Sequence, residues 1–348
     1  MPASVKHLAR ALLAWYDAHP REMPWRGHPD PYAVWVSEIM LQQTQVGTVK
    51  ERGYFTQFIA AFPTVAALAA APQQQVLKRW EGLGYYTRAR NLQKAAQAVV
   101  AQGGALPRDA AAWAALPGVG PYTAAAIASI CHGAETPVVD GNVIRVFARV
   151  LGWDDDFRKP PARARLAAWL QPHIAASKRP GDFNQAMMDL GATLCTPRAP
   201  DCPACPLRGG CAAERAGRQT DFPARPARKA APVRLAVAAL IRDGEGRVLV
   251  TQRTGEGLLS GLWELPNREV EPPPATTAAV RELFARTGLP AVRFQPRGTF
   301  THVFSHFKLV WHVYEARLDT APAAPLRFSV PEELPLTTLS RRVIEGLP

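Results

Sequence analysis

Apolar residues recur at every third or fourth position through most of residues 1–130, on a background of Ala, Leu and Gln, and that period predicts helices. The first, VKHLARALLAWYDAH (5–19), reads as amphipathic. Breaks fall where Asp, Pro and Gly cluster, at RGHPDPY (26–32), and at FPT (62–64), where Thr64 is placed to cap the next helix. VWVSEIMLQQTQVGTV (34–49) is apolar except on one face, and on that face Glu38 sits between Val36, Ile39 and Met40. LPGVGPYTA (116–124) sets a tight turn, with Gly118 and Gly120 flanking Val119, between two Ala-rich segments, and predicts a helix over 121–131. VVDGNVIRV follows and puts Asp140 just beyond that helix. FNQAMMDLGATL (183–194) predicts another mostly apolar helix, leading into a group of cysteines.

The texture changes near residue 212. ERAGRQTDFPARPARKAAPVR is basic and proline-containing, lacks an apolar period, and reads as a linker over 212–232. Beyond it VRLAVAALIRD and RVLVTQR read as strands around the DGEG turn (243–246), TTAAVRELFARTG (276–288) as a helix, and GTFTHVFSHFKLVWHVYEARL (298–318) again as strand. The expected fold is a mainly α domain over 1–211 and an α+β domain over 233–348.

A length of 348 residues with 47% apolar content supports two domains with sizeable cores. A net charge of +12 favours a polyanionic partner, nucleic acid or an anionic membrane surface. No apolar run approaches the roughly 18–20 residues of a membrane span, and the N-terminal helix lacks the apolar stretch and cleavage site of a signal peptide. The expected location is the cytosol, where five cysteines do not imply a disulfide framework.

Several stretches carry chemistry. A Gly-x-Gly turn opening a helix aims backbone N–H groups outward, a seat for phosphate, although the same turn also serves as a plain helical elbow. Glutamate is seldom buried without a partner or a task, and burial pushes a carboxyl towards the neutral form that suits a general acid. The competing reading of Glu38 is an ordinary surface charge. Gln42, Gln43, Thr44 and Gln45 form a dense set of neutral donors and acceptors. GLGYYTRARN (82–91) joins a flexible turn to two tyrosines and two arginines, fit to push a side chain into a base stack while the arginines contact phosphate, or simply a solvated turn. Cys195, Cys202, Cys205 and Cys211 are spaced C-x6-C-x2-C-x5-C. Four thiolates this close converge on one metal centre, iron–sulfur or zinc, and the single C-x2-C with wide outer spacings favours iron–sulfur. Cys131 stands apart on an apolar helix and reads as a core residue.

Taken as a set and in order, PWR (24–26), SEIMLQQTQV (37–46), GLGYYTRARNL (82–92), LPGVGPYTA (116–124), VVDGNVIR (138–145), FNQAMMDLGA (183–192) and the cysteine loop resemble the helix-hairpin-helix DNA glycosylases, and among them the MutY-type adenine DNA glycosylases. The resemblance implies two helical subdomains with the active site in the cleft between them, a 4Fe–4S cluster on the four cysteines, and removal of adenine mispaired with 8-oxoguanine (or G) in duplex DNA by a monomer. It implies Glu38 as proton donor to the adenine and Asp140 as the carboxylate that meets the sugar, with Tyr122 and Asn142 supporting them. Arg26 and Gln185 would line the adenine pocket. Gln43 and Tyr85 would enter the duplex, and Thr44, Leu83, Gly118, Val119 and Gly120 would lie against DNA. In the cysteine loop Arg198 and Arg208 could reach phosphate. Bifunctional relatives such as endonuclease III carry a lysine where Tyr122 stands, so strand cutting through an amine nucleophile is not expected. A thymine-removing mismatch glycosylase is a neighbour that also lacks the lysine, but Glu38 favours purine departure.

TQR, GLWELPN (261–267) and RELFARTGL (281–289) resemble a Nudix fold. Arg281 and Glu282 of its helix remain, but Ala285 and Arg286 stand where paired glutamates belong and Pro273 where an upstream glutamate is expected. With those oxygen ligands gone, magnesium has little to bind. The resemblance implies an 8-oxoguanine sensor, with Phe304, Ser305 and His306 of HVFSHF (302–307) as the recognition residues. A nucleotide pyrophosphohydrolase and a catalytically silent DNA-binding regulator are the alternatives.

Overall fold

The computed structural model describes residues 5–28, 30–224, 231–255, 257–271, 282–283, 293–320, 322 and 324–347. The chain divides into two compact units: residues 1–59, 64–69 and 94–227 in the first, residues 60–63, 70–93 and 228–348 in the second. Along the chain the helices are α1 (Val5–Ala18), α2 (Pro31–Leu41), α3 (Val46–Glu51), α4 (Tyr54–Ala61), α5 (Val65–Ala70), α6 (Gln73–Arg79), α7 (Thr87–Ala101), α8 (Ala110–Ala114), α9 (Pro121–His132), α10 (Gly141–Leu151), α11 (Pro160–Ser177), α12 (Pro180–Thr193) and α13 (Ala212–Arg215).

The main core of the first unit lies among α1, α10, α11 and α12, where Leu12, Phe147, Leu166, Leu170, Phe183 and Leu190 are buried. α10 is sharply two-faced, because Val143, Ile144, Val146 and Phe147 fall on one stripe. α2 differs: Tyr32 through Met40 are all buried, Ser37 and Glu38 included, so this helix is enclosed on every side. Asp30 caps it, accepting from the Tyr32 N–H at 2.8 Å, and Pro31 begins it, since a residue without an N–H costs nothing in a first turn. Thr64 caps α5 as expected, accepting from the Ala67 N–H at 3.1 Å.

The linker expected over 212–232 is in part ordered, and the apolar run 34–49 is divided between two helices. The run breaks after Leu41, Gln43 adopts a left-handed φ of 59°, and α3 starts afresh at Val46. The expected linker also begins as ordered structure: α13 follows Cys211, Ala213 is fully buried, and a 3-10 turn spans Gln219–Asp221. A basic, proline-rich composition conceals such anchoring because a few contacts suffice, among them the Phe222 carbonyl accepting from Arg149 Nε at 3.2 Å.

The second unit is built on a mixed sheet of β1 (Val233–Arg242), β2 (Val248–Gln252), β3 (Trp263–Glu264), β4 (Asn267–Val270), β5 (Gln295–Val303), β6 (Lys308–Arg317) and β7 (Leu326–Ser329). The order is β3-β2-β1-β6-β5, with β4 on β1 and β7 on β2, and β1 runs parallel to β6. β1 is buried on both faces: Ala236, Ala238 and Leu240 enter one core, Val237, Ala239 and Ile241 the other. That explains its near-continuous apolar sequence in place of the alternation of a half-exposed strand. The C-terminal helix α14 (Thr338–Glu345), absent from the sequence reading, packs Leu339 and Val343 on the first of these cores. The expected helix 276–288, with Arg281, Ala285, Arg286 and the upstream Pro273, lies outside the described residues except for Glu282 and Leu283, and Glu282 pairs with Arg268 at 2.7 Å.

Candidate active site

A cavity of about 500 Å³ in the first unit brings together Glu38, Tyr122, Asp140, Asn142, Arg26 and Gln185. Glu38 reaches it from the enclosed α2 and is only 5% exposed. The Tyr122 hydroxyl, from the first turn of α9, donates to Glu38 Oε2 at 2.9 Å. Burial drives the Glu38 carboxyl up to about 7, helped by the nearby Asp140 charge and opposed by the Tyr122 hydrogen bond and by Arg26. Burial, with the two carboxyls, also pushes the Tyr122 phenol well up, so it remains a donor.

Asp140 caps α10. One oxygen accepts from the Val143 N–H at 2.7 Å, the other from Asn142 Nδ2 at 2.9 Å. Burial raises this carboxyl above the usual range, while those two bonds and Arg145 act against the rise. A helix N-terminus favours the ionised form. Asn142 is oriented by Arg145, whose Nη2 donates to Asn142 Oδ1 at 2.7 Å and to the Gly191 carbonyl at 2.7 Å. A guanidinium can only donate, so it claims the amide oxygen and turns the amide NH2 towards Asp140. The two helices approach so closely here that a Cβ on Gly191 would lie 2.6 Å from Asn142 Cβ.

Gln185 is oriented in the same way. Arg26 Nε donates to its Oε1 at 3.2 Å, which leaves its NH2 as the remaining donor. Asp189, 4% exposed, holds Arg26 Nη1 at 2.7 Å and also pairs with Arg21. Asn184 is fully buried and pins the segment before Asp140: its oxygen accepts from the Val138 N–H at 3.1 Å, and its NH2 donates to Ser129 Oγ at 2.8 Å and the Thr136 carbonyl at 2.9 Å. Asn184→Leu, matched in branching and heavy-atom count but without these bonds, is expected to cost about 2–4 kcal/mol in thermal or denaturant unfolding. Asp189, Asn184 and Arg145 all escaped the sequence reading as functional positions. The available signal was spacing: Asn142, Arg145 and Arg149 fall at i, i+3 and i+7 on one face of α10.

The turn expected to hold phosphate leaves Gly118 and Gly120 exposed, with Gly118 at a φ of 76° that favours glycine. Val119 is buried and its N–H bonds the Leu116 carbonyl at 3.1 Å, so its backbone donor and its side chain both turn inward. Gln43 is exposed at the α2–α3 break, and Thr44 lines the cavity. Tyr85 is 49% exposed with a φ of 46°, whereas Leu83 is buried. The arginines after Tyr85 do not fit the expected phosphate contacts. Arg88 is buried, drawn down to about 10 by burial, and donates to the Leu83 and Gly84 carbonyls; Arg90 donates to the Ser260 carbonyl at 2.7 Å. Arg208 pairs with Glu214 at 2.9 Å.

Within the second unit the Tyr85 hydroxyl and Ser305 Oγ share a hydrogen bond of 2.8 Å. Ser305 and His306 are exposed at the β5–β6 connection, which is closed by the Phe304 N–H on the Phe307 carbonyl at 2.8 Å and by stacking of the two rings at 4.6 Å.

The four grouped cysteines are free thiols that line one small cavity, together with Arg149 and Arg208. Burial pushes the Cys205 thiol up to about 11, and its three cysteine neighbours push in the same direction. Among the described residues no three His, Cys, Asp or Glu side chains form a group that could hold a metal ion. Cys131 is half-buried on α9 and its thiol is pushed up to about 12 by burial. Among the described residues no helix is long and apolar enough to cross a membrane.

A helical hairpin opening beside a cavity that holds a buried and a half-buried carboxyl, in a chain that continues into a mixed α+β unit, defines the helix-hairpin-helix base-excision class. Residues 36–172 match the HhH-GPD superfamily base excision DNA repair protein family, and residues 237–346 match the NUDIX domain. Adenine DNA glycosylase from Mus musculus is 39% identical over 92% of this chain and 73% of its own length; the protein of the same name from Homo sapiens is 38% identical over 91% and 68%. Among solved structures, a thermostable thymine-DNA glycosylase superposes with a TM-score of 0.55 at 28% identity, covering 61% of this chain and 97% of that one. The chain belongs to the adenine DNA glycosylases.

Proposed function

We propose that this enzyme removes adenine mispaired with 8-oxoguanine, or with G, from duplex DNA by hydrolysing the N-glycosidic bond, without cutting the strand. One observation carries the reading: a buried Glu38 with its carboxyl raised to about 7 shares a cavity with Asp140 and is held by the Tyr122 hydroxyl. The adenine leaves the base stack to reach this cavity. Glu38 hands its proton to N7, so the bonding pair of C1′–N9 departs with a neutral purine. The sugar becomes cationic, and Asp140 stabilises that charge or briefly bonds to C1′, the division of labour seen in glycoside hydrolysis. Water then adds at C1′ and an abasic site remains. The Gln185 NH2 and the Arg26 guanidinium supply donors for the base, and with Tyr122 in the hairpin no lysine amine is present there to form a Schiff base.

Backbone donors at Gly118 and Gly120 and the basic surface hold the duplex. Gln43 and Tyr85 enter it beside the mispair. Cys195, Cys202, Cys205 and Cys211 line one cavity and would hold a 4Fe–4S cluster, favoured over zinc by the single C-x2-C with wide outer spacings. When bound, the cluster supplies a rigid cross-link of the 195–211 loop. The loop at Phe304, Ser305 and His306 reads 8-oxoguanine, and its hydrogen bond to Tyr85 joins recognition of the lesion to the residue that enters the duplex.

The test is a duplex with A opposite 8-oxoguanine, incubated with protein, treated with alkali and resolved on a gel. Scission of the adenine strand only after alkali is the expected result; scission without alkali, or none at all, overturns the reading. In the same assay, Ser305→Ala with His306→Ala is expected to reduce the preference for 8-oxoguanine over G opposite A by about tenfold or more, in line with the loss of one or two good hydrogen bonds. An unchanged ratio removes both residues from recognition.

A further inference from the structure

Arg149 is among the largest fully buried side chains of the chain, yet it sits in no salt bridge among the described residues. Its donors are aimed at one region. Nη1 bonds the Thr196 carbonyl at 2.7 Å and approaches Cys195 Sγ at 3.3 Å, Nη2 bonds the Pro197 carbonyl at 3.0 Å, and Nε bonds the Phe222 carbonyl at 3.2 Å. The Cys211 thiol donates in turn to the Arg149 carbonyl at 3.5 Å.

A guanidinium stays charged in proteins, and burying it without a counter-ion is costly. Carbonyl dipoles offset part of that cost, but they are not an anion. The groups at this site able to become one are the four thiols around the adjoining cavity, which Arg149 also lines. Four thiolates outweigh the positive charge of an iron–sulfur core, so the bound group is a net anion. Resting on the cluster reading above, we propose that Arg149 is the buried counter-cation of this centre. It sets the cluster's reduction potential through charge and the hydrogen bond to Cys195, and it secures the cluster by clamping residues 195–197 and 222 onto α10. A cation nearby favours addition of an electron, because reduction makes the centre more negative; hydrogen bonds to the ligand sulfurs act in the same sense.

The experiment compares wild type with Arg149→Met and Arg149→Lys, each checked for helical content by circular dichroism. Visible absorbance and iron content report occupancy. Film voltammetry reports the potential, the electrode supplying the one electron, and bleaching in the presence of a chelator reports retention. Arg149→Met is expected to lower the potential and to bleach about tenfold faster or more, the scale of effect typical for partners of metal ligands. Arg149→Lys keeps the charge with fewer donors, so its potential stays near wild type while bleaching is again faster. Where Arg149→Met does not fold, Arg149→Lys still decides: wild-type bleaching kinetics in that variant overturn the clamp. Potentials and bleaching rates matching wild type in both overturn the proposal entirely. Wild-type protein without iron or visible absorbance overturns instead the cluster reading beneath it.

Discussion

Glu38→Gln is expected to slow base release by about 10³-fold or more while leaving affinity for the mispaired duplex unchanged, the scale set by loss of a positioned general acid. Glutamine fits the same enclosed site and still accepts from Tyr122, so folding is preserved and only the transferable proton is lost. The pH profile provides an independent check. The proposed mechanism requires Glu38 protonated, and burial raises its carboxyl to about 7, so single-turnover rates should fall as pH rises through that value. Residual activity of the variant should lack this limb. The stability contributed by Glu38 should fall over the same range. The folded-state value lies above the reference of 4.5, so the folded state gains its full benefit from the proton below about 4.5 and loses it progressively up to about 7. At pH 8 the wild type carries a buried charge worth about 3 kcal/mol of destabilisation at most, which Glu38→Gln removes. The variant should therefore melt higher than wild type at pH 8, with the gap closing towards pH 4.5. Near-normal turnover, or a gap that widens as pH falls, would remove Glu38 from its role.

Asp140→Asn should be nearly as damaging, with a loss of about 10²–10³-fold in base release. The substitution is informative because it spares the fold. Asparagine caps helices about as well as aspartate, so the Val143 N–H keeps its acceptor and α10 its start. What disappears is the negative charge facing the developing sugar cation, together with the acceptor for Asn142 Nδ2. Unfolding midpoints close to wild type, together with intact duplex binding and lost chemistry, are the expected combination. Turnover within tenfold of wild type would show that the charge at this position does not stabilise the transition state.

Much of this site was legible in the chain, and the reasons differ by residue. Glu38 was readable because a single acid inside an apolar helix is a local anomaly. Asp140 and the hairpin were readable because glycine spacing and an acid just past a predicted helix are properties of a few consecutive residues. Arg88 misled, since an arginine beside an exposed tyrosine suggests phosphate, whereas its carbonyl acceptors lie at the turn just before it, at Leu83 and Gly84. Only a folded turn shows that. Arg149 gave no sign of its burial, because its partners lie 46 to 73 positions further along the chain. The C-terminal helix α14 escaped notice for a related reason: its Leu339 and Val343 are too few to announce a period, and the sheet they cover completes the pattern.

The sequence by itself determined what is local: the helical period, the cap at Thr64, the cysteine spacing, and a set of ordered motifs specific enough to place the chain in its family. Tertiary structure alone decided which polar groups are buried and what they face, and hence that Glu38 titrates near neutrality, that Asn142 and Gln185 present their NH2 groups, and that Arg149 lies against the thiols. The physical reason is range. Backbone preference and capping act over a few residues, whereas desolvation and charge depend on surroundings that come together only when distant segments pack.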